Sequence, residues 1–324
     1  MWFGADKGDC MRPLLFILAL WLAGPGLALA QSVPQAPAPQ PYEFPFEVEV
    51  FDLPVSANGI AYRLYVRLPL LAEERRSSPP GVFYMLDGDW YFPTLAAGVF
   101  NTEFFGHTPD AYMVGIGYQD TETVSVTAHR TRDYTPTNFV PPDENHPLQP
   151  ADYEGSGGAE AFLDVLETEI IPFIEARYAL DASQRGLIGK SYGGLFASYA
   201  LLTRPELFRQ MSIISPSLWW DDFMLPREQR AAMQLEARTH DRLMPAPTRL
   251  VFTAGSEEER LGMVTDINAF TDALLARQDP NLAIAWRVLD GERHESIFPR
   301  AIMTSLRLLA GNLPWESPEL HETE

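Results

Sequence analysis

The sequence predicts an α/β fold, with an eight-stranded, mostly parallel sheet, helices on both faces and a small helical cap. Short apolar segments alternate along the chain with segments of helical character. Parallel strands covered on both faces are apolar throughout, as these short segments are. Hydrophobic residues make up 46% of the 324 residues, which is enough for one large core.

Eight segments predict strands. Residues 47–53 and 60–68 alternate apolar and polar side chains, as expected for an antiparallel pair at a sheet edge. The other six predicted strands are short apolar runs at residues 82–86, 111–116, 186–188, 211–214, 249–253 and 283–289. Helices are predicted between and after them, at residues 159–177, 193–202, 263–276 and 297–309. The alternation contains no internal repeat.

The first 30 residues predict a cleavable secretory signal. A start at Met11 would place Arg12 before an apolar run that ends in Ala-Leu-Ala, with cleavage near Ala30 and Gln31. The alternative is a membrane anchor, but the run is short for a span and is broken by a Gly-Pro-Gly sequence. A periplasmic or secreted protein is therefore expected, without stable membrane insertion after cleavage.

The remaining chain divides into a linker, one domain and a tail. Residues 31–45 are proline-rich and predict an extended tether. Residues 46–314 are predicted to form a single α/β domain, and residues 315–324 an acidic tail. Within the domain, residues 217–245 have the length and mixed polarity of an inserted helical element, which predicts the cap.

Charge and cysteine content exclude several classes of partner. The formal net charge is −20, which argues against nucleic acid and anionic membranes. Cys10 is the only cysteine and precedes the predicted cleavage site, so no disulfide framework or thiolate metal site is expected. The spacings H-x-H and H-E-x-x-H do not occur, so neither a metal nor another cofactor is expected. Nothing in the sequence specifies an oligomeric state.

The most informative motif is G-K-S-Y-G-G at residues 189–194. An apolar segment precedes it and a helical segment follows, and a strand, a G-x-S-x-G turn and a helix make the nucleophile elbow of α/β-hydrolases. Gly189 and Gly193 are predicted to remove Cβ atoms that would clash with a strained serine. Ser191 is the predicted nucleophile. Its place after the fifth predicted strand fits the α/β-hydrolase fold.

A serine hydroxyl needs a base to remove its proton. In this fold the base lies on a loop after the last strand, and the acid lies between the serine and the histidine in chain order. Of six histidines, His294 directly follows the last predicted strand and precedes the last predicted helix. His294 is therefore the predicted base.

The acid is predicted in the turn after the strand at residues 249–253, where the sequence reads A-G-S-E-E-E. Glu258 is preferred because a G-x-x-acid turn is a common arrangement. Glu257 and Glu259 are alternatives. A solvated acidic turn beside a looser Ser–His dyad also remains open.

The oxyanion hole requires two backbone donors. One is predicted to be the N–H of Tyr192, the residue after the nucleophile. The other is predicted in the segment after the third strand, which contains Gly88 and Asp89. Gly88 permits close approach of the chain to a substrate, and the N–H of Asp89 or of a neighbour would be the second donor.

Five segments, taken together, resemble those of a known family. They are L-D-G-D at residues 86–89, R-T-R-D-Y-T-P at 130–136, G-K-S-Y-G-G at 189–194, S-P-S-L-W-W at 215–220 and E-R-H at 292–294. They resemble the putative esterase family of α/β-hydrolases, over about residues 45–312. That family includes esterases of trilactone catecholate siderophores (enterobactin, salmochelin, bacillibactin), feruloyl esterases and S-formylglutathione hydrolases.

The resemblance implies site residues as well as a fold. It implies Ser191 as nucleophile, His294 as base and a role near the substrate for Arg130. The alternative for Arg130 is an ion pair with Asp133 that stiffens its loop. Two roles are also open for Trp219 and Trp220. They could stack on an aromatic acyl group or pack under the cap.

A siderophore esterase that meets a ferric catecholate is expected to have a basic pocket, yet this chain is acidic. Arg130, Arg132, Lys190 and Arg293 could form a local positive site, because nearby charges dominate within a Debye length of ~8 Å. Lys190 is the only lysine after residue 30. It is interpreted either as a product of arginine-biased codon usage or as a cation that helps to hold an anionic substrate.

The sequence therefore predicts an exported serine esterase that works through an acyl-enzyme. The substrate is a small-molecule carboxylic ester, with siderophore trilactones as the leading class. General carboxylesters or hydroxycinnamate esters of the feruloyl type are the alternative. Thioester cleavage as in S-formylglutathione hydrolase is a cytosolic task and disagrees with the predicted signal. A non-catalytic binding protein is disfavoured because such proteins usually lose the serine or the histidine.

Overall fold

The predicted eight-stranded sheet is confirmed in a computed structural model, which describes residues 44–70, 77–108, 110–140, 148–220 and 243–315. The strands in these ranges are β1 (Val48–Val55), β2 (Ala61–Arg67), β3 (Gly81–Met85), β4 (Ala111–Tyr118), β5 (Arg185–Lys190), β6 (Gln210–Ile214), β7 (Thr248–Gly255) and β8 (Leu282–Leu289). Their spatial order is β1-β2-β4-β3-β5-β6-β7-β8. β2 is antiparallel to both its neighbours, and all the other pairs are parallel.

Helices cover both faces of the sheet. The helices of the described ranges are α1 (Gly88–Phe104), α2 (Thr123–Tyr134), α3 (Pro150–Tyr153), α4 (Ala159–Val165), α5 (Ile171–Glu175), α6 (Tyr192–Thr203), α7 (Met263–Leu275) and α8 (Phe298–Leu309). α1 and α8 contribute to one apolar core, while α4, α6 and α7 contribute to the core on the opposite face. Two separate cores on either side of a sheet are what the apolar strands require.

Three helices of the described ranges were not predicted from the sequence: α1, α2 and the single turn α3. α1 begins at a D-G-D sequence typical of turns and contains Pro93, which lacks the N–H for a helical hydrogen bond. α2 is polar and rich in β-branched residues, which have low helix propensity. Packing against the sheet and neighbouring helices outweighs these local preferences, since propensity is a weak determinant beside burial.

The helix predicted at residues 159–177 is present but interrupted. A π-helical turn at Leu166–Ile170 separates α4 from α5. Pro172 follows at once, and because proline has no backbone N–H it cannot continue the regular helical bonding.

Several predicted segments lie outside the described residues. These are the predicted signal peptide, residues 31–43 of the tether, residues 221–242 of the cap, and residues 316–324 of the tail. Within the ranges that the structure describes, no helix is both long enough and apolar enough to cross a membrane.

The topology places the carboxyl ends of several strands at one edge of the sheet. β3, β5, β7 and β8 run parallel, so the residues that follow their carboxyl ends meet along that edge. Ligands of open α/β sheets bind in the crevice at this edge. The predicted nucleophile, acid, histidine and oxyanion donors all follow these four strands.

Candidate active site

Ser191 lies at the sharp turn between β5 and α6. Its backbone has φ 60° and ψ −119°, a conformation that non-glycine residues rarely adopt. The turn is held by the Ser191 N–H, which donates to the Ile214 carbonyl, and by the Ser191 carbonyl, which accepts from Ser217 and Leu195. These hydrogen bonds fix a strained serine at the N-terminus of a helix, as a nucleophile elbow requires.

The glycines of the motif are needed to different degrees. A Cβ atom at Gly189 would lie 2.1 Å from the Gly193 carbonyl oxygen, which no rearrangement of side chains could relieve. At Gly193 the closest contact of a Cβ would be 3.4 Å, to an Asp87 carboxylate oxygen, and this is nearly ordinary. At Gly194 it would be 2.9 Å, to Pro216. The predicted clash is thus found at Gly189, while on the other side it falls on Gly194 rather than Gly193.

Replacing Gly189 by alanine is expected to destabilise the protein by about 2 kcal/mol or more, because the elbow must open to relieve the backbone clash. Gly193→Ala is the matched control and should cost clearly less. The free energy of unfolding in urea measures both. Equal losses for the two variants would show that the close approach at Gly189 does not restrain the turn.

Glu258 and His294 are in direct contact. Glu258 Oε1 lies 2.6 Å from His294 Nδ1. The other carboxylate oxygen, Oε2, accepts hydrogen bonds from the Ser215 hydroxyl at 2.7 Å and from the Gly255 N–H at 2.6 Å. The carboxylate is 1% exposed, and the imidazole is 29% exposed. Each oxygen of the buried carboxyl group therefore has a donor.

These contacts also favour the ionised form of Glu258. Burial acts to raise the pKa of Glu258, but the hydrogen bonds from His294, Gly255 and Ser215 outweigh it and lower the pKa. An ionised carboxylate only accepts hydrogen bonds, so Nδ1 of His294 must donate. The other ring nitrogen, Nε2, is then the one that can accept a proton.

The neighbouring glutamates are not placed in this way. Glu257 is exposed, and the carboxylate of Glu259 accepts from the N–H and hydroxyl of Thr265. The turn is further held against the histidine loop, since a Cβ at Gly255 would lie 2.1 Å from the Glu292 carbonyl oxygen. Of the three glutamates, Glu258 is the one brought to His294.

The serine hydroxyl itself points toward a second serine. Ser191 Oγ lies 3.4 Å from Ser217 Oγ. In structures without substrate, the hydrogen bond between a catalytic serine and histidine is often long and tightens when substrate binds. The arrangement can support acyl transfer once His294 Nε2 and Ser191 Oγ come within hydrogen-bond distance.

The N-termini of α1 and α6 lie side by side at the serine. Asp87, the residue before α1, has left-handed backbone geometry with φ 54°, and its side chain approaches Gly193. The Asp87 carbonyl accepts from the N–H groups of Trp90 and Tyr91. Gly88 and Asp89 precede these residues in the first turn of α1, where N–H groups have no partner within the helix. Gly88 and Asp89 therefore lie at a helix N-terminus, and their role as oxyanion donors stays a prediction.

The first turn of α1 is held tightly on the sheet. A Cβ at Gly88 would lie 2.8 Å from the Gly115 and Ile116 backbone, so this position requires glycine for packing. The Asp89 side chain accepts hydrogen bonds from the Tyr65 hydroxyl and the Tyr118 N–H. Such anchoring presents the backbone N–H groups rigidly, which suits an oxyanion hole.

Arg130 makes an ion pair with Asp87 and not with Asp133, the partner in the predicted structural role. Its Nε and Nη2 donate to the two carboxylate oxygens of Asp87 at 2.8 and 3.0 Å. Asp133 instead pairs with Arg132. The prediction of an Arg130–Asp133 pair was wrong because Arg130 and Asp133 lie in helix α2 and only Arg130 extends to the N-terminus of α1.

Aromatic rings surround the Arg130 guanidinium. Its carbon centre lies 5.2 Å from the Trp90 ring, 5.8 Å from Tyr134 and 5.1 Å from Tyr192. The side chain is largely buried. Bidentate pairing and stacking are the contacts that guanidinium favours, and here they tie the oxyanion segment to α2 and to the elbow.

The two predicted aromatic contacts differ in exposure. Trp220 is buried, and its indole N–H donates to Thr137. Of the two predicted roles, packing describes Trp220. Trp219 is half-buried, and Trp90, for which no substrate contact was predicted, is 39% exposed. Of these three tryptophans, Trp219 and Trp90 are therefore the two that are not buried.

Lys190 is buried beside the serine, with 5% of its surface exposed and its ammonium 5.5 Å from the centre of the Tyr91 ring. Burial lowers the pKa of Lys190 to about 8, although the nearby carboxylates of Glu258 and Asp87 act to raise it. A cation held in this way is not presented at the surface of the site.

Lys190→Met is expected to be more stable than the wild type by about 2 kcal/mol near neutral pH, since it removes a buried charge. The unfolded chain binds this proton up to a pKa of 10.5 and the folded chain only to about 8. Wild-type stability should therefore rise between these pH values, and the advantage of the variant should shrink there. Urea unfolding across this pH range measures it. A less stable variant at neutral pH would mean that Glu258 and Asp87 overcompensate burial.

Three supporting residues were missed from the sequence. Ser215, with φ 43°, holds Glu258, and Asp87 holds Arg130. The Tyr134 hydroxyl accepts the Asp87 N–H. Ser215 and Tyr134 belong to segments that the sequence reasoning did single out, and Asp87 lies in the segment singled out for oxyanion donors.

The strand order, the elbow and the contact between acid and histidine define a serine hydrolase of the α/β-hydrolase fold. A sequence model of the family described as "Putative esterase" matches residues 57–296. The chain belongs to the putative esterase family. It is an enzyme that acts on ester bonds, as the sequence predicted.

Individual relatives of known sequence or structure are also esterases or share the fold. The chain is 29% identical over 209 residues to the siderophore triacetylfusarinine C esterase of Aspergillus fumigatus, covering 63% of this chain and 66% of that protein. It is 27% identical over 257 residues to the ferri-bacillibactin esterase of Bacillus subtilis, covering 76% and 83%. Among solved structures, the BES protein of Bacillus cereus aligns with TM-score 0.69 and 25% identity, over 83% of this chain and 98% of that one.

Proposed function

We propose that this serine esterase hydrolyses the trilactone of catecholate siderophores. The observation that carries the proposal is Ser191, strained at the elbow, at the same sheet edge as the Glu258–His294 pair. The names of the two relatives support siderophore esters as the substrate class, and the bacillibactin esterase supports the catecholate type. Trp90 and Trp219, which are not buried, are the aromatic side chains that we assign to contact with a catechol ring.

Each residue has a defined role in this proposal. His294 Nε2 removes the proton of Ser191 as the oxygen attacks the lactone carbonyl, and Glu258 stabilises the imidazolium that forms. The same proton then passes to the departing alkoxide. Water, deprotonated by His294, hydrolyses the acyl-enzyme and restores the serine.

Backbone N–H groups stabilise the tetrahedral oxyanion. We assign these donors to Tyr192, at the start of α6, and to Asp89 or its neighbour Gly88, at the start of α1. The free N–H groups and the dipole at a helix N-terminus stabilise negative charge, and donors that are already in place need no reorganisation when charge develops. Arg130 acts here through Asp87, which it fixes at the start of α1.

A parallel assay of four ester types tests the proposal. Purified wild-type protein and Ser191→Ala are given enterobactin, methyl ferulate, p-nitrophenyl acetate and p-nitrophenyl octanoate. We expect serine-dependent kcat/KM for enterobactin to exceed that for the other esters by at least about 100-fold. Activity confined to the simple esters would replace the proposal by a general carboxylesterase, and a preference for methyl ferulate by a feruloyl-type esterase.

We also propose that the enzyme is exported. The proposal rests on the order of Arg12, an apolar run and Ala30 before Gln31. Expression of the full sequence in a bacterial host with an N-terminal analysis of the purified protein tests it. A mature chain that begins at or near Gln31 is expected, and an uncleaved chain that stays in the cytoplasm would contradict export.

A further inference from the structure

We propose that the site selects the iron-free trilactone and discriminates against its ferric complex. This inference rests on the proposed function. Ferric iron bound by doubly deprotonated catechols is a compact trianion, whereas the iron-free ligand keeps its phenolic protons and is essentially uncharged near neutral pH. A site that binds the ferric form needs surplus positive charge, so the charges around Ser191 distinguish the two substrates.

Two arginines of the predicted positive site, Arg130 and Arg132, are each paired with a buried carboxylate. Arg130 is neutralised by Asp87 through two hydrogen bonds, with the carboxylate 1% exposed. Arg132 is neutralised by Asp133 at 2.6 Å. Both carboxylates are buried against their arginines, so the fields of these pairs cancel over the distance to a bound ligand.

The remaining two cations of the predicted positive site are no better placed. Lys190 is buried under the Tyr91 ring, and Glu258 and Asp87 are the acidic groups that act on it most strongly. Arg293 is exposed, but the same loop carries Glu292 and the exposed Glu295. Each of the four cations therefore has at least one carboxylate close to it in the structure or in the chain.

The amino-acid sequence as a whole carries an excess of negative charge. The net charge of the whole protein is −20. Residues 141–147 contain two acidic residues and no lysine or arginine, and residues 221–242 contain five acidic residues and four arginines. By sequence alone, neither segment has an excess of positive charge. A trianion that approaches this enzyme is repelled over long distances as well as at the site.

The ionic-strength dependence of hydrolysis tests the inference. Wild-type kcat/KM is measured for iron-free and ferric enterobactin at low and high NaCl. We expect the iron-free form to be favoured by at least about 10-fold at low salt. Since salt screens repulsion, kcat/KM for the ferric form should rise with NaCl while that for the iron-free form stays nearly constant.

The outcomes separate this inference from the proposed function. If the ferric form is cleaved as well as the iron-free form, or if its kcat/KM falls with salt, the site attracts the trianion and the inference is overturned while the function stands. If neither form is cleaved by protein that hydrolyses p-nitrophenyl acetate, the proposed function and the inference fall together.

A charge-reversal variant locates the effect. Glu295→Lys adds positive charge in the exposed loop beside His294, and we expect kcat/KM for the ferric form to rise about 5-fold at low salt. The iron-free rate should change less than 2-fold. Glu206→Lys is the matched control, since exposed Glu206 lies between α6 and β6 at the opposite edge of the sheet. Equal effects of both variants on the ferric form would contradict local selection by charge.

Discussion

Ser191→Ala is expected to lower kcat for ester hydrolysis by about 10⁴-fold or more, because no other group in the elbow can form the acyl-enzyme. The variant should fold normally, since the turn is held by backbone hydrogen bonds from Ser191 that alanine retains. Steady-state hydrolysis of a p-nitrophenyl ester measures the loss. Labelling by a covalent serine-directed phosphonate should disappear in parallel.

Ser217→Ala is the control for that variant. Ser217 Oγ is the hydroxyl that lies 3.4 Å from Ser191 Oγ, so it tests whether the neighbouring serine substitutes for the nucleophile. We expect its kcat to stay within about 10-fold of the wild type and its labelling to persist. If Ser217→Ala lost labelling while Ser191→Ala kept it, the elbow serine would not be the nucleophile.

Glu258→Gln is expected to lower kcat by about 10³- to 10⁴-fold, the range seen when the orienting acid of a triad is neutralised. The carboxylate oxygens accept from His294 on one side and from Ser215 and Gly255 on the other. An amide must present an NH₂ group to one of these sides, where a donor already points. The imidazole then loses its fixed tautomer and its counter-charge.

Glu257→Gln and Glu259→Gln are the matched controls, with the same chemical change one residue away. We expect both to keep kcat within about 3-fold of the wild type. Circular dichroism and urea unfolding of all three variants separate lost catalysis from lost folding. A comparable loss in Glu257→Gln with an active Glu258→Gln would move the acid role to the other glutamate.

Much of the fold and of the candidate site could be predicted from local sequence patterns. The strands are short apolar runs, and the elbow at Ser191 has a steric requirement that is written into neighbouring residues, most strongly Gly189. His294 could be selected by its place in the chain order alone. These features need no knowledge of distant contacts, so the sequence was sufficient for them.

Other features depend on contacts between distant segments. Arg130 and Asp87 are 43 positions apart, whereas Asp133, the partner in one of the two alternatives for Arg130, is three positions away. The helix α1, which begins at Gly88, forms despite a turn-like start because it packs on β4. Such choices are made by tertiary packing, which overrides local propensity.

The acid shows why the candidate site could be only partly predicted. Three consecutive glutamates are chemically equal, and the 3₁₀ turn Ser256–Leu261 turns Glu258 inward while Glu257 remains at the surface. The choice depends on where Ser215 and His294 stand in space. Both follow other strands, so their positions are set by the sheet and not by the turn itself.

Cleavage after the buried Lys190 can be used to measure unfolding of the protein. This residue is the only lysine after residue 30, and β5 lies inside the sheet between β3 and β6. A lysine-specific protease can reach Lys190 only in unfolded chains. The fraction of chains cleaved in a short pulse of digestion, measured across a urea series, therefore gives the unfolded fraction. That cut falls directly before Ser191. Any acyl or phosphonyl adduct on this serine would therefore sit on the first residue of the released fragment, where mass spectrometry reads it without further digestion.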